Sequence, residues 1–243
     1  MPLKISTGML PKRDTRANPF HIAKNLKLLT QEYGNYARLK GLEPAITKHV
    51  RSFFKIAGKE PSNEAVRNAV SKILVIPYRE YERLTEYDPR FEGGAFHDSF
   101  SEKPIVISEK NFSDSRKARE AIMHELGHEF GNYPASEIPT TAIGWRDLKF
   151  SGSPTFAKAA QDLKEWYAKN ETRIAGDGDF GRLRLESYLN GGKAGFAAAR
   201  LQKTHSNEAS DRFLRLLLTE PHFDWKQIMA LRKKAIEQTG KAK

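Results

Sequence analysis

The stretch KPIVISEKNFSDSRKAREAIMHELGHEF, Lys103 to Phe130, decides how the rest of the chain is read. Its first six residues hold a β-branched run, Ile105-Val106-Ile107, which predicts a short strand. Phe112-Ser113-Asp114-Ser115 offers side chains that can cap a helix. From Arg116 onward the residues favour helix, with Ala118, Ile122, Leu126 and Phe130 on one broad apolar side. On that predicted helix lies His124-Glu125-Leu126-Gly127-His128. Residues four apart share a helix face, so both imidazoles can reach one metal ion. Glu125 sits one step round, where it can approach a metal-bound water without taking a coordination position. A divalent metal lowers the water's pKa, and a carboxylate can accept its proton.

The 243-residue chain has no cysteine, so thiolate ligands and disulfides are excluded. A zinc ion would be held by His, carboxylate and water, as in catalytic rather than structural sites. Such a site takes three protein ligands, and the third must come from outside the HExxH helix. Ser206-Asn207-Glu208-Ala209-Ser210-Asp211 opens a predicted helix with two carboxylates within a turn. Glu208 is the expected zinc ligand, with Asp211 bonding the spare N–H of a ligating imidazole; the reverse assignment stays open. These carboxylates could equally serve only the helix N-terminus. Glu186 is a further candidate. Glu137 lies beyond Pro134, in a stretch from Ala135 to Ser153 that reads as loop. His205 and Tyr188 are candidates to stabilise an oxyanion. Gly94-Ala95-Phe96-His97 is a candidate edge strand along which an extended peptide could lie.

Outward from this core the texture changes. Residues 1–18 are polar and basic, with three prolines once Pro19 is included, and read as a disordered leader. Residues 19–90 read as a basic helical segment: helices are expected over 18–39, 43–56 and within 61–81, the last running towards Ile73 and Ile76. Residues 91–243 read as the catalytic core, with further helices over 156–167, from 206 to 221, and over 225–238. Gly176 to Gly181 and Gly191-Gly192 are expected to interrupt the chain. The net charge of +11 is uneven: residues 1–80 carry 15 Lys/Arg against 6 Asp/Glu. Such a field suits an acidic partner, an acidic lipid surface or nucleic acid, although no nucleic-acid motif accompanies it. No apolar run is long enough to span a membrane, and no apolar signal region opens the chain. The expectation is a cytoplasmic protein or one exported by a specialised route.

The HELGH helix followed by a carboxylate helix resembles the gluzincin type of zinc metallopeptidase. Asn207-Glu208-Ala209-Ser210-Asp211 is similar to the NExxSD pattern of thermolysin-like enzymes, with one residue fewer. The pieces from His124 to His128 and from Asn207 to Leu217 resemble more closely the anthrax lethal-factor-like peptidases. Registered on Asn207-Glu208-Ala209, Ser210 stands where that family has its ligand glutamate; a shift of one residue puts Asp211 there. The resemblance covers about residues 93–238. It implies an α+β, zincin-like fold with a small, mostly antiparallel sheet on the active-site helix, and an endopeptidase acting on a protein substrate, often as a delivered effector or toxin. Two other readings fit the residues: a zincin-shaped binding or regulatory protein of little activity, and a basic nucleic-acid-binding protein with an accidental HExxH.

Overall fold

In the computed structural model, residues 19–85, 94–98, 102–130, 137–146, 179–220, 222 and 224–240 are described, with isolated positions 161, 165 and 168. The leader over 1–18 and most of the helix expected over 156–167 lie outside them. The described chain is α+β and mostly helical. Four helices come first: α1 (Pro19–Tyr33), α2 (Tyr36–Leu39), α3 (Glu43–Ile56) and α4 (Asn63–Ser71). Strand β1 (Ile73–Ile76), α5 (Tyr78–Thr85), β2 (Ala95–His97) and β3 (Ile105–Ser108) follow, and a 3-10 turn over Glu109–Ser113 leads into α6 (Ser115–Phe130). Then come α7 (Glu137–Arg146), α8 (Asp179–Thr204), α9 (Asn207–Thr219) and α10 (Trp225–Gly240).

The sheet order is β1-β3-β2, with β3 in the centre. β3 pairs antiparallel with β2 but parallel with β1, so the sheet is mixed and not mostly antiparallel as expected. The difference lies in Ile73-Leu74-Val75-Ile76, which reads in sequence as the end of a helix. All four are buried, which suits a strand covered on both faces. Period-two alternation places Ile73, Val75, Ile105 and Ile107 in the main core with Ile122, Met123 and Leu126 of α6. Leu74, Ile76, Val106 and Phe96 face the other way, into a smaller core under α1 and Tyr81.

Helix α3 backs the same core: Phe53 and Phe54 pack on Phe130 at the end of α6, with ring centroids 6.4 and 5.5 Å apart. Asp114 caps α6, its Oδ1 accepting from the Arg116 backbone N–H at 2.8 Å. Two corrections fall on the C-terminal half. Residues 137–146 form helix α7, not loop, and α8 runs unbroken through Gly191-Gly192. A Cβ on Gly191 would stand 2.7 Å from Thr141 Cβ and within 3.0 Å of the Ile138 and Glu137 carbonyl oxygens. The glycine is there because α7 crosses α8 at backbone contact, not to break the helix.

Candidate metal centre

Helices α6 and α7 bring three donors together. His124 and His128 project from one face of α6, their Nε2 atoms 3.2 Å apart. Glu137, in the first turn of α7, places Oε2 3.3 Å from His124 Nε2 and 3.4 Å from His128 Nε2. Among the described residues this is the one group of three or more His, Asp or Glu side chains whose ligand atoms converge in this way. All three side chains are nearly buried, at 10–13% exposure.

The spacing tests whether zinc fits. Zn–N and Zn–O bonds of about 2.1 Å at tetrahedral angles put ligand atoms about 3.4 Å apart. The three observed separations match the edges of one face of such a tetrahedron, and the donor set of two imidazoles and a carboxylate is a catalytic zinc set. The residues therefore fit the ion.

Close helix packing delivers Glu137. A Cβ on Gly127, in the middle of HELGH, would lie 2.6 Å from Thr140 Cγ2, so this glycine lets α7 approach α6 directly above the histidines. Gly191 does the same from α8. Thr140 Oγ1 donates to the Glu137 carbonyl at 3.0 Å and tightens the first turn of α7. At the far end Arg146, buried, is ion-paired with Asp211 of α9. The pair ties the C-terminus of α7 to its neighbour.

This assigns the expected residues differently. Glu208 is exposed at the N-terminus of α9, where Ser206 Oγ caps the helix by accepting from Ala209 N–H at 3.0 Å, and is not in the donor cluster. It fills the role of an N-terminal carboxylate favoured by the helix dipole. Asp211 holds Arg146 rather than an imidazole. His205 is exposed, with Nδ1 2.8 Å from Thr204 Oγ1, and Glu186 is exposed on α8. Tyr188, also on α8, does reach the centre: its ring lies parallel to His124, centroids 6.2 Å apart and planes 6° apart.

Sequence reasoning set Glu137 aside because it lies beyond Pro134, in a stretch that reads as loop. Pro139, within that stretch, occupies the first turn of α7, where its missing N–H costs nothing. Glu137 before it and Arg146 at the far end bracket the segment with dipole-complementing charges, and that was the available signal.

The electrostatics follow from burial and proximity. Burial alone would lower the His124 pKa, but the hydrogen bond to Glu137 and the charges of Glu125, Glu137 and Glu120 outweigh it and push it up to about 9. Burial would raise Glu137, but the hydrogen bonds and charges of His124 and His128 hold it well below the usual carboxylate range. Glu125 is buried at 6% exposure, and burial raises its pKa, partly offset by the two histidines. A buried base of raised pKa beside the donors is suited to taking up a proton. On the sheet side, His97 of β2 points to α6, with Nε2 2.8 Å from Glu129 Oε2 and its ring 6.0 Å from that of His128. Lys72 pairs with the other oxygen of Glu129. β2 is thereby pinned beside the centre.

Comparisons of the chain with protein-family models, curated proteins and solved structures return no match.

Proposed function

We propose that the chain is a zinc-dependent peptidase of zincin-like architecture, with His124, His128 and Glu137 as the metal ligands. The observation that carries the reading is the tetrahedral face of donors with Glu125 beside it and outside it. Zinc held there would polarise a scissile carbonyl and lower the pKa of a coordinated water to about 7.

The protein's own residues supply the remainder. Glu125 would accept the proton of the attacking water and pass it to the leaving amine. Tyr188, stacked on His124, is the candidate for a phenol that contacts substrate. Among the described residues β2 is an edge strand beside α6, so an extended peptide could add to it by backbone hydrogen bonds, with its scissile bond carried towards the donors. Proteins are the substrate class this geometry suits, and action as a delivered effector is consistent with it. Among the described residues no helix is long and apolar enough to cross a membrane.

The test is a search for new protein N-termini in a proteome treated with the wild type and with Glu125→Gln, alongside zinc analysis of both. The amide keeps the shape of the side chain and the metal but cannot act as a base. Zinc should stay near one per chain while cleavage falls by about 10²–10⁴-fold. Bound zinc with no wild-type cleavage across a broad pH range would leave a metal-binding regulatory protein instead.

A further inference from the structure

The geometry points to a second functional surface, independent of the metal centre: a basic trough along the outer face of α3 that docks a short acidic segment of a partner protein. Helix α3 buries Ile46, His49, Val50, Phe53, Phe54 and Ile56. Its opposite face carries Lys48, Arg51 and Lys55, with Lys59 following in the turn after the helix. These positions recur at three- and four-residue steps and so align in one stripe about 15 Å long. Two surface concavities run along it. One, of about 590 Å³, is lined by Glu43, Pro44, Thr47, Lys48 and Arg51. The other, of about 470 Å³, is lined by residues that include Arg51, Lys55, Lys59, Glu60 and Arg215. Arg51 borders both, so the two lie side by side along α3 and are treated together as one trough.

The trough is built rather than incidental. Gly58 has a positive φ of 76°, and a Cβ there would lie 2.4 Å from Arg215 Nε. The bare glycine lets Arg215 of α9 lie across the end of α3, its Nε donating to the Ile56 carbonyl at 3.3 Å. A fifth cation thus joins the stripe from a distant part of the chain. Arg51 donates to Asn63 Oδ1 at 2.7 Å, which fixes its guanidinium. Among the described residues no carboxylate pairs with Lys48, Arg51, Lys55 or Lys59. Five cations face the trough against two carboxylates at its ends, Glu43 and Glu60, and an anionic occupant would balance the excess.

The trough also selects among anions. Glu43 stands at one end and Glu60 at the other, so a polyanion continuing past either end meets repulsion. A nucleic-acid strand continues; a short acidic peptide does not. An extended peptide rises about 3.3 Å per residue, so about five residues span the stripe of cations, about 15 Å long. Among the described residues no aromatic side chain lines the trough to stack on bases. The exposed large apolar residues among those described, Leu28, Leu39 and Tyr78, lie outside it, so nothing there enters a bilayer.

The experiment is fluorescence anisotropy on the full chain with labelled hexaglutamate as probe, beside a 20-base-pair DNA duplex and phosphatidylserine vesicles. Hexaglutamate should bind saturably at 50 mM salt and weaken as salt screens the contacts. The variant Arg51→Ala/Lys55→Ala/Lys59→Ala should lose about tenfold in affinity, since three exposed ion pairs are removed. Lys27→Ala/Lys203→Ala/Lys226→Ala, which lowers the net charge equally at exposed sites elsewhere, should lose less than about twofold. All six positions are exposed, so thermal melts should stay unchanged and zinc content intact. The proposal is overturned if hexaglutamate does not bind, or if both triple variants weaken it alike. It is equally overturned if duplex or vesicles bind more tightly than the peptide and depend on the same three residues. Because zinc and cleavage are not read in this assay, its outcome is separate from that of the peptidase reading.

Discussion

Helices α7 and α9 both begin with a glutamate in the first turn, and both glutamates lie downstream of the HExxH helix. Only one reaches the histidines. Glu137 is 8% exposed and locked between His124 and His128, whereas Glu208 faces solvent. The local chemistry of the two helix starts is nearly the same, and the dipole favours a carboxylate at each. What separates them is packing: α7 is drawn onto α6 and α8 by glycines that remove the last methyl's width, and α9 sends its apolar face inward and its first-turn acid out. A ligand is thus selected by the distance of closest approach between helices, a quantity absent from any window of a few residues.

The sharpest way to break this comparison is to remove each acid in turn. Glu137→Ala should reduce zinc affinity by more than about 100-fold, because losing a direct ligand outweighs the 10–100-fold that an outer partner typically costs. Zinc titration against a chelating dye measures it. If Glu137→Ala keeps its zinc and Glu208→Ala loses it, Glu137 is not the third ligand and α9 must approach α6 in the holo protein.

A second test uses the proton that competes with the metal. In the metal-free protein Glu137, together with Glu125 and Glu120, outweighs burial and raises the His124 pKa to about 9. A raised cationic group stabilises the fold below its unfolded value near 6.5, and that contribution is lost as pH rises through about 9. Zinc must displace the same proton, so its apparent affinity should climb about tenfold per unit from pH 6.5 towards 9 and then level off. In Glu137→Gln the climb should end at a lower pH than in the wild type, because the largest raising contribution to His124 is gone. An unchanged pH profile in that variant would separate His124 from Glu137. The depressed Glu137 acts with the opposite sign: its contribution is present above the usual carboxylate range and is lost in acid.

The packing itself can be perturbed at two glycines. Ala in place of Gly gains up to about 1 kcal/mol of helix propensity, while overpacking costs typically 1–3 kcal/mol. At Gly191 the new methyl meets two carbonyl oxygens of α7, which cannot yield without moving Glu137, so the cost wins and zinc binding weakens with stability. At Gly127 the nearest atom is the Thr140 methyl, and Gly127→Ala/Thr140→Ser should recover part of the loss while keeping the hydroxyl that bonds the Glu137 carbonyl. Thermal melts and zinc titration of the three variants read both effects. A Gly191→Ala protein as stable and as tight for zinc as wild type would show that the α7–α8 contact does not position the ligand.

These residues also mark what was legible beforehand. The histidine pair, Glu125, strand β3, the cap of α6 and the start of α9 follow from spacing and short-range chemistry, and each stands in the structure on the element its sequence favours. Helix α7 did not follow, because the stretch beyond Pro134 reads as loop until its packing on α6 and α8 is known. The continuity of α8 was hidden because Gly191-Gly192 looks the same in a turn and at a close crossing. Strand β1 was hidden because four consecutive buried residues carry no period. Each miss concerns an element whose identity is decided by what it packs against.

The smallest effect is expected at the acid that sequence made most prominent. Glu208 is exposed, lies outside the donor cluster and sits within the first turn of a helix already capped by Ser206. Among the described residues its role is with the dipole of α9, worth about 0.3–1 kcal/mol and screened by salt. Glu208→Ala should therefore lower the melting temperature by a few degrees at most at low salt, by less at high salt, and leave zinc affinity within about twofold. Ser206→Ala removes a hydrogen bond rather than a charge, so its cost of about 1 kcal/mol should not depend on salt. A salt-independent loss at Glu208 would mean that its carboxylate makes a specific contact in the folded protein, and a loss of zinc alone would bring α9 back into the metal centre.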